Sequence, residues 1–414
     1  MEPIARAPLS DIDGPAAWAR AFVTVLLGTI GSCGMWVAVV VLPDAQTEFG
    51  VARGDASLPY AATMIGFGLG NIIIGRIADK VGITAPAITA ALMLCAGFAF
   101  AANATELWQL VFAQGALIGI ATGAAFGPLI ADLSHWFRKR RGLAVGAAAS
   151  GNYIAGAVWP PLVQAYVATE GWREAYIALA VFCLVSMIPL ALMLRTRLTE
   201  TSAAAAAQAV GANLRQMPFS PRTLQWLLAI AGVGCCVAMS MPQVHIVSYC
   251  IDLGFGPAVG AEMLALMSLG GVASRLASGF LADYIGGIRT LLIGSVAQCA
   301  ALFFFLPFDT QLSLYIVSLM FGLSQGGIVP SYAIVVREYL PAKEAGERIG
   351  VIVASTILGM ALGGWMSGVI FDQTGSYSLA FVNGIAWNLL NIMIVLGVMW
   401  RTLGPHQGPA LRPA

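Results

Sequence analysis

The chain has 414 residues, of which 59% are hydrophobic and only 10% charged, and its formal net charge is +1. Soluble domains run about 45–50% apolar and about 25% charged, so the composition excludes a water-soluble globular protein and makes the lipid bilayer the main solvent. The near-zero charge excludes the basic footprint of a nucleic-acid partner.

The first 16 residues are polar, hold Asp11 and Asp13, and lack the basic start of a cleavable signal peptide. A membrane helix needs about 20 mostly apolar residues. Twelve such stretches follow, near 17–42, 56–77, 82–103, 106–133, 142–167, 174–195, 222–249, 258–282, 287–307, 311–337, 347–371 and 376–401. Residues 196–221 form the one long connection, with an alanine run and Pro218 and Pro221. They read as a linker between two six-helix halves, 17–195 and 222–401, with polar tails over 1–16 and 402–414. The expected fold is therefore all-α, with twelve transmembrane helices in two pseudo-symmetric bundles.

Span 2 closes on Gly75-Arg76-Ile77-Ala78-Asp79-Lys80-Val81-Gly82, and span 8 closes, 204 positions later, on Gly279-Phe280-Leu281-Ala282-Asp283-Tyr284-Ile285-Gly286. A polar hairpin repeated at half the chain length indicates two copies of one membrane unit, an architecture typical of carriers. Span 4 carries Gly115, Gly119, Gly123 and Gly127 at four-residue spacing, a bare face that a neighbouring backbone can approach. Span 11 carries Gly359, Gly363, Gly364 and Gly368 in a looser version.

Basic residues orient the chain. With the N-terminus inside, eighteen of the 21 Lys and Arg residues fall on the inner side, Arg53 and Arg173 face outward, and Arg275 lies within span 8. Both termini are thus expected in the cytoplasm, with the protein in a plasma membrane of the bacterial inner-membrane type.

An arginine at the depth of Arg275 costs at least about 2.5–3.5 kcal/mol, so it should face the protein interior or a wet cavity. No span offers a carboxylate in its middle. A guanidinium fork suits a carboxylate in bidentate geometry, which makes Arg275 the leading anion ligand. His245 in span 7 is the one histidine in a membrane segment, suited to carrying a proton or donating to substrate. Gln325 and Tyr332 in span 10, Asn71 in span 2, and Asn152 and Tyr153 in span 5 are further substrate-binding candidates, each equally able to join helices by hydrogen bonds.

At the inner ends, Asp79 with Arg76 and the cluster including Arg140 and Arg141, and Asp283 with Arg337 or Arg348, are placed to form a cytoplasmic gate, with Glu338 as a further acidic partner. Exposed pairs are weak, about 0–1 kcal/mol, which suits a latch that opens every cycle. No phosphate-binding loop, metalloprotease motif or nucleophile elbow is present. The seven cysteines lack metal-ligand spacing. No catalytic residue, cofactor or metal is expected.

The two G-x-x-x-D-x-x-G loops, the six-plus-six arrangement and the basic central linker resemble the major facilitator superfamily. Trp136-Phe137-Arg138-Lys139-Arg140-Arg141-Gly142-Leu143-Ala144-Val145-Gly146, followed by Ser150-Gly151, is similar to the signature of monocarboxylate transporters and oxalate/formate antiporters. That resemblance implies secondary active transport of a small organic anion such as lactate or pyruvate by alternating access, coupled to protons, by a monomer, with the substrate-anchoring arginine on span 8 at Arg275. The alternatives are an anion exchanger of the oxalate/formate type and a carrier, including an exporter, of neutral or cationic compounds. The chain departs from the animal proton-coupled carriers in lacking a lysine in span 1, in having Gly271 where they have an aspartate one turn before the arginine, and in Tyr284 replacing a basic residue in the second loop.

Overall fold

The computed structural model describes residues 6–7, 12–198, 219–340 and 342–403; most of the linker and both extreme tails lie outside the described residues. All twelve spans are helical. Spans 1 and 2 comprise Pro15–Gly31 with Cys33–Val40, and Leu58–Val81 preceded by the short turn Arg53–Ala56. Span 3 is Thr84–Ala102, span 5 Arg141–Glu170 and span 6 Trp172–Met193. In the second half, spans 7, 8 and 9 are Pro221–Asp252, Pro257–Ile285 and Gly287–Phe304, and spans 11 and 12 are Ala342–Thr374 and Ser378–Leu403. Eleven spans are long and apolar enough to cross a membrane by composition alone. Span 5, at 30 residues, has the length, but Ser150, Asn152, Tyr153, Pro160 and Pro161 dilute its apolar character.

Spans 4 and 10 are not continuous. Span 4 runs through Leu107–Phe112, a π-helical stretch Ala113–Gly119 and Ile120–Ala124, then breaks before Gly127–Ser134. Span 10 breaks between Gln311–Gln325 and Ile328–Tyr339. The Gly–Pro pair at 127–128 and the Gly–Gly pair at 326–327 supply the reason: Pro128 lacks an amide hydrogen, and glycine is a poor helix former.

The repeat seen in the loops extends into the packing. A Cβ added at Gly66 would lie 2.0 Å from Gly115 O, at Gly119 2.7 Å from Thr63 O, and at Gly123 2.4 Å from Phe67 O. In the second half, a Cβ at Gly270 would lie 2.9 Å from Leu323 N, at Gly322 2.2 Å from Met267 O, and at Gly326 2.1 Å from Gly271 O. Span 2 thus lies backbone-to-backbone on span 4 as span 8 lies on span 10. The last glycine of each loop motif also has one role in both halves: Gly82 has φ +81° and Gly286 φ +86°, the sharp reversal between consecutive spans that glycine adopts without penalty.

Large apolar side chains such as Phe22, Val185, Met193 and Trp400 are exposed on the outside of the bundle, where lipid replaces water. Inside, many polar side chains are paired with one another. Gln114 donates to Tyr176 Oη at 2.7 Å and accepts from Thr63 Oγ1 at 2.9 Å, and Asn391 donates to Ser295 Oγ at 2.8 Å. The halves meet where span 2 packs on span 11 and span 5 on span 8.

Candidate transport site

Arg275 lies ten residues from the end of span 8, about 15 Å along the helix at 1.5 Å per residue. Its Nε donates to Gly326 O at 3.3 Å and its Nη1 to Ala149 O at 2.8 Å. Gly326 follows the last residue of the first piece of span 10, so its carbonyl is one that the interrupted helix leaves open. The guanidinium also lies 4.7 Å over the Tyr153 ring. Among the described residues no carboxylate pairs with it, the three ion pairs being Arg20–Asp132, Arg53–Asp252 and Arg173–Glu48. A half-buried cation held, among the described residues, by neutral carbonyls and a tyrosine keeps most of its appetite for an anion. Tyr153 also accounts for Gly271: a Cβ there would lie 2.5 Å from the Tyr153 ring, so the space one turn before the arginine is already filled.

The repeat gives this arginine a counterpart. Asn71 stands 204 positions earlier, and its Oδ1 accepts from Gly127 N at 2.9 Å, at the break in span 4. Each half therefore places one side chain from span 2 or 8 against the interrupted helix beside it, and only the second half uses a charge.

The other predicted ligands are dispersed. Gln325 is fully buried and accepts from Gln243 Nε2 at 2.8 Å, while its own Nε2 has no partner among the described residues. Tyr332 is buried and donates to Asn391 Oδ1 at 2.8 Å, within the second half. Asn152 lies on span 5 facing span 1, where its carbonyl accepts from Trp36 Nε1 at 3.1 Å. His245 is fully buried; its Nε2 lies 2.7 Å from Gly364 O and its Nδ1 2.9 Å from Tyr377 Oη.

His245 belongs to a different cluster, one that sequence reasoning missed. Arg53, at the start of span 2, bonds Asp252 at the end of span 7 through Nη1 and Nη2, donates to Gln46 Oε1 at 3.1 Å and to Tyr377 Oη at 3.3 Å, and stacks 3.9 Å over Phe371. The backbone amides of Arg53 and Gly54 donate to the Asp372 carboxylate of span 11 at 2.8 and 2.7 Å. Gly54 and Gly368 let the two backbones touch, since a Cβ at Gly368 would lie 2.8 Å from Gly54 Cα. Among the described residues, hydrogen bonds cross between the halves at two places: this knot and Arg275 to Ala149. The available signal was positional, because Arg53, Asp252 and Asp372 all fall at the same end of spans 2, 7 and 11.

A family model described as Major Facilitator Superfamily matches residues 24–332 and 251–414. The chain belongs to this superfamily. It is 27% identical over 363 residues to monocarboxylate transporter 13 of Rattus norvegicus, covering 86% of this chain and 82% of that protein. It is 25% identical over 422 residues to monocarboxylate transporter 11 of Homo sapiens, covering 97% and 86%. It is also 24% identical over 320 residues to the MFS-type transporter pynF of Aspergillus niger, covering 76% and 72%. The chain is a multi-pass membrane transporter and not an enzyme.

In this facilitator the end carrying the repeated loops contrasts with the Arg53 end. Arg76, Asp79, Asp283 and Arg337 are exposed, and none makes an ion pair among the described residues. Arg140 is exposed, and the side chain of Arg141 lies outside the described residues. The loop of the basic cluster is held instead by Asp13, whose carboxylate accepts from the amides of Arg138, Lys139 and Arg140 at 3.1–3.4 Å. Glu338 accepts from Gly287 N at 3.0 Å, and Arg348 donates to Gln225 Oε1 at 2.6 Å, both within the second half. Asp132 is paired with Arg20 at 2.8 Å inside the first half.

Proposed function

We propose that the chain carries a small organic anion, a monocarboxylate such as lactate or pyruvate, across a plasma membrane by alternating access, as a monomer and in symport with protons. The observation that carries this reading is Arg275: a cation inside span 8, without a carboxylate among the described residues, that bridges the two halves through Ala149 O. A substrate carboxylate competes with that carbonyl for the guanidinium, so binding bears directly on how the halves meet. The names of the rat and human relatives support the same substrate class. The distribution of Lys and Arg supports an orientation with both termini in the cytoplasm, which puts the Arg53 end outside.

The test is uptake of labelled lactate and pyruvate into proteoliposomes. Hydrogen bonds to charged groups are worth about 1.5–3 kcal/mol, so Arg275→Gln should lower uptake about 10- to 100-fold with the fold intact by thermal melting. Undiminished uptake in that variant would overturn the anion reading in favour of a neutral or cationic cargo. Exchange of one anion for another is the second reading. It is favoured by the lack of any titratable acid or imidazole in contact with Arg275 among the described residues. Symport gives uptake driven by an inward proton gradient into empty vesicles, whereas exchange requires an anion loaded inside.

A further inference from the structure

We propose that His245 is the coupling-proton site, and that protonating it releases the latch at the Arg53 end. The inference rests on the symport reading above for its place in the cycle. Its own support is a hydrogen-bond chain far from Arg275.

The donors and acceptors in that chain fix its proton inventory. Gly364 O can only accept, so His245 Nε2 carries a hydrogen. In the neutral ring Nδ1 is then a bare acceptor, and the Tyr377 O–H donates to it across 2.9 Å. The Tyr377 oxygen accepts in turn from Arg53 Nη1. The resting latch thus uses His245 as the terminal acceptor of a relay that starts on the arginine.

A proton arriving from outside forms a new N–H bond at Nδ1. The Tyr377 oxygen then accepts from both His245 and Arg53, and its own hydrogen must turn to another acceptor. One is in place. Ser248, one turn further along span 7, faces the Tyr377 hydroxyl. It is 1% exposed, and the Tyr377 hydroxyl is the group that its Oγ faces. A buried hydroxyl oxygen at that place is the acceptor that the protonated state requires.

Protonation also puts a second buried cation beside Arg53. The charged groups facing the imidazole are Arg53 from span 2 and Asp372 from span 11. Asp252 pairs with Arg53, and Tyr60, Tyr249 and Tyr377 are the neighbouring phenols. Asp372 attracts the imidazolium, but Asp252 and Asp372 are bonded to Arg53 and to the amides of residues 53–54, so the larger effect is a fully buried cation without a carboxylate in direct contact. The added charge therefore favours separation of the halves at this end, where water solvates both cations. A carrier that has taken only a proton is held open outward, and reclosing expels the proton or requires the substrate anion. That is the condition for coupling without proton leak.

The experiment measures latch opening without substrate. Spin labels at Thr47→Cys and Ser376→Cys, both exposed and on opposite halves, report the separation at the Arg53 end in nanodiscs, with the half-buried Cys95 and Cys299 replaced by alanine. In the otherwise native chain the long-distance population should rise as pH falls from about 8 to about 5, around the histidine range. His245→Gln keeps an amide donor for Gly364 O and should abolish that response. Ser248→Ala removes the acceptor that steadies the protonated latch, and should raise the ratio of open to latched protein in acid about fivefold, the equivalent of one lost hydrogen bond. A pH response that survives in His245→Gln would assign it to Asp252 or Asp372 and overturn the proposal, as would an unchanged open-to-latched ratio in acid in Ser248→Ala. Because no substrate is present, failure of lactate uptake leaves this result standing, and the reverse also holds.

Discussion

The two ends of the bundle hold their charges differently. At the Arg53 end, one guanidinium, two carboxylates and a tyrosine from four segments are bonded across the halves. At the end with the repeated loops, the charged residues are more numerous, yet no hydrogen bond or ion pair joins the halves among the described residues. Among the described residues the halves are thus bonded to each other at the Arg53 end and not at the loop end; on the alternating-access reading proposed above, this is the state latched at the Arg53 end. The difference also teaches that density of charge in the sequence does not locate a closed gate. Geometry does, because a bonded knot needs close backbones, and Gly54 against Gly368 supplies them.

The strongest way to break the comparison is to deny that close approach. Gly368→Leu places a side chain where Gly54 Cα and Arg53 O lie 2.8 and 2.9 Å from the Cβ position. Overpacking of this kind costs about 1–3 kcal/mol, so the latched state should lose population about 5- to 100-fold. Uptake should fall accordingly, with hydrogen exchange of residues 46–58 rising. Unchanged exchange there would mean that the latch tolerates the wedge and is not held by backbone contact. Arg53→Lys is a smaller insult. It keeps the charge but loses the fork to Asp252 and the stack on Phe371, and should slow uptake about two- to fivefold, as loss of up to about 1 kcal/mol does.

The contrast between the ends also marks how far the sequence can be read. Twelve spans, two halves and the family were legible because they rest on composition and on a repeat of period 204. Arg275 was legible because a charge inside a span has few reasons to exist. The bonded cluster at the Arg53 end was not, since it joins positions 53, 252, 372 and 377, which share no motif and lie at the ends of spans far apart in sequence. His245 was recognised as unusual, but its place depended on which carbonyl and which phenol the packing brings to its two nitrogens. The anticipated pairs of the loop motif are not formed among the described residues; on the alternating-access reading proposed above, they belong to the other state of the cycle.

That explanation predicts a one-sided effect. Asp79→Asn should leave the thermal stability of the present state unchanged while slowing uptake about two- to fivefold, because exposed pairs worth about 0–1 kcal/mol are lost only when the loop end closes. Asp283→Asn should do less, since Tyr284 replaces the basic residue in that copy. Loss of thermal stability in either variant would mean that these carboxylates already work in the state described here.

The smallest effect concerns Asp13, which ties the N-terminal segment to the basic loop. Its φ of +58° is unusual for a residue with a side chain, and the position is held by the three amides its carboxylate receives. Slight burial alone would raise its pKa, but the backbone amides of Lys139, Arg138 and Arg140 and the nearby Lys139 charge outweigh it and hold the carboxyl below its ordinary range. A carboxyl depressed in the folded state stabilises that state above the unfolded pKa, near 3.9, and the contribution drains away as pH falls through the lower folded value. Wild-type protein and Asp13→Asn should therefore differ in melting temperature at pH 7 by a degree or so at most, on the order of an exposed interaction, and converge when the scan is repeated below about pH 3. A difference that persists undiminished in acid would show that the side chain's shape, not its charge, holds the loop.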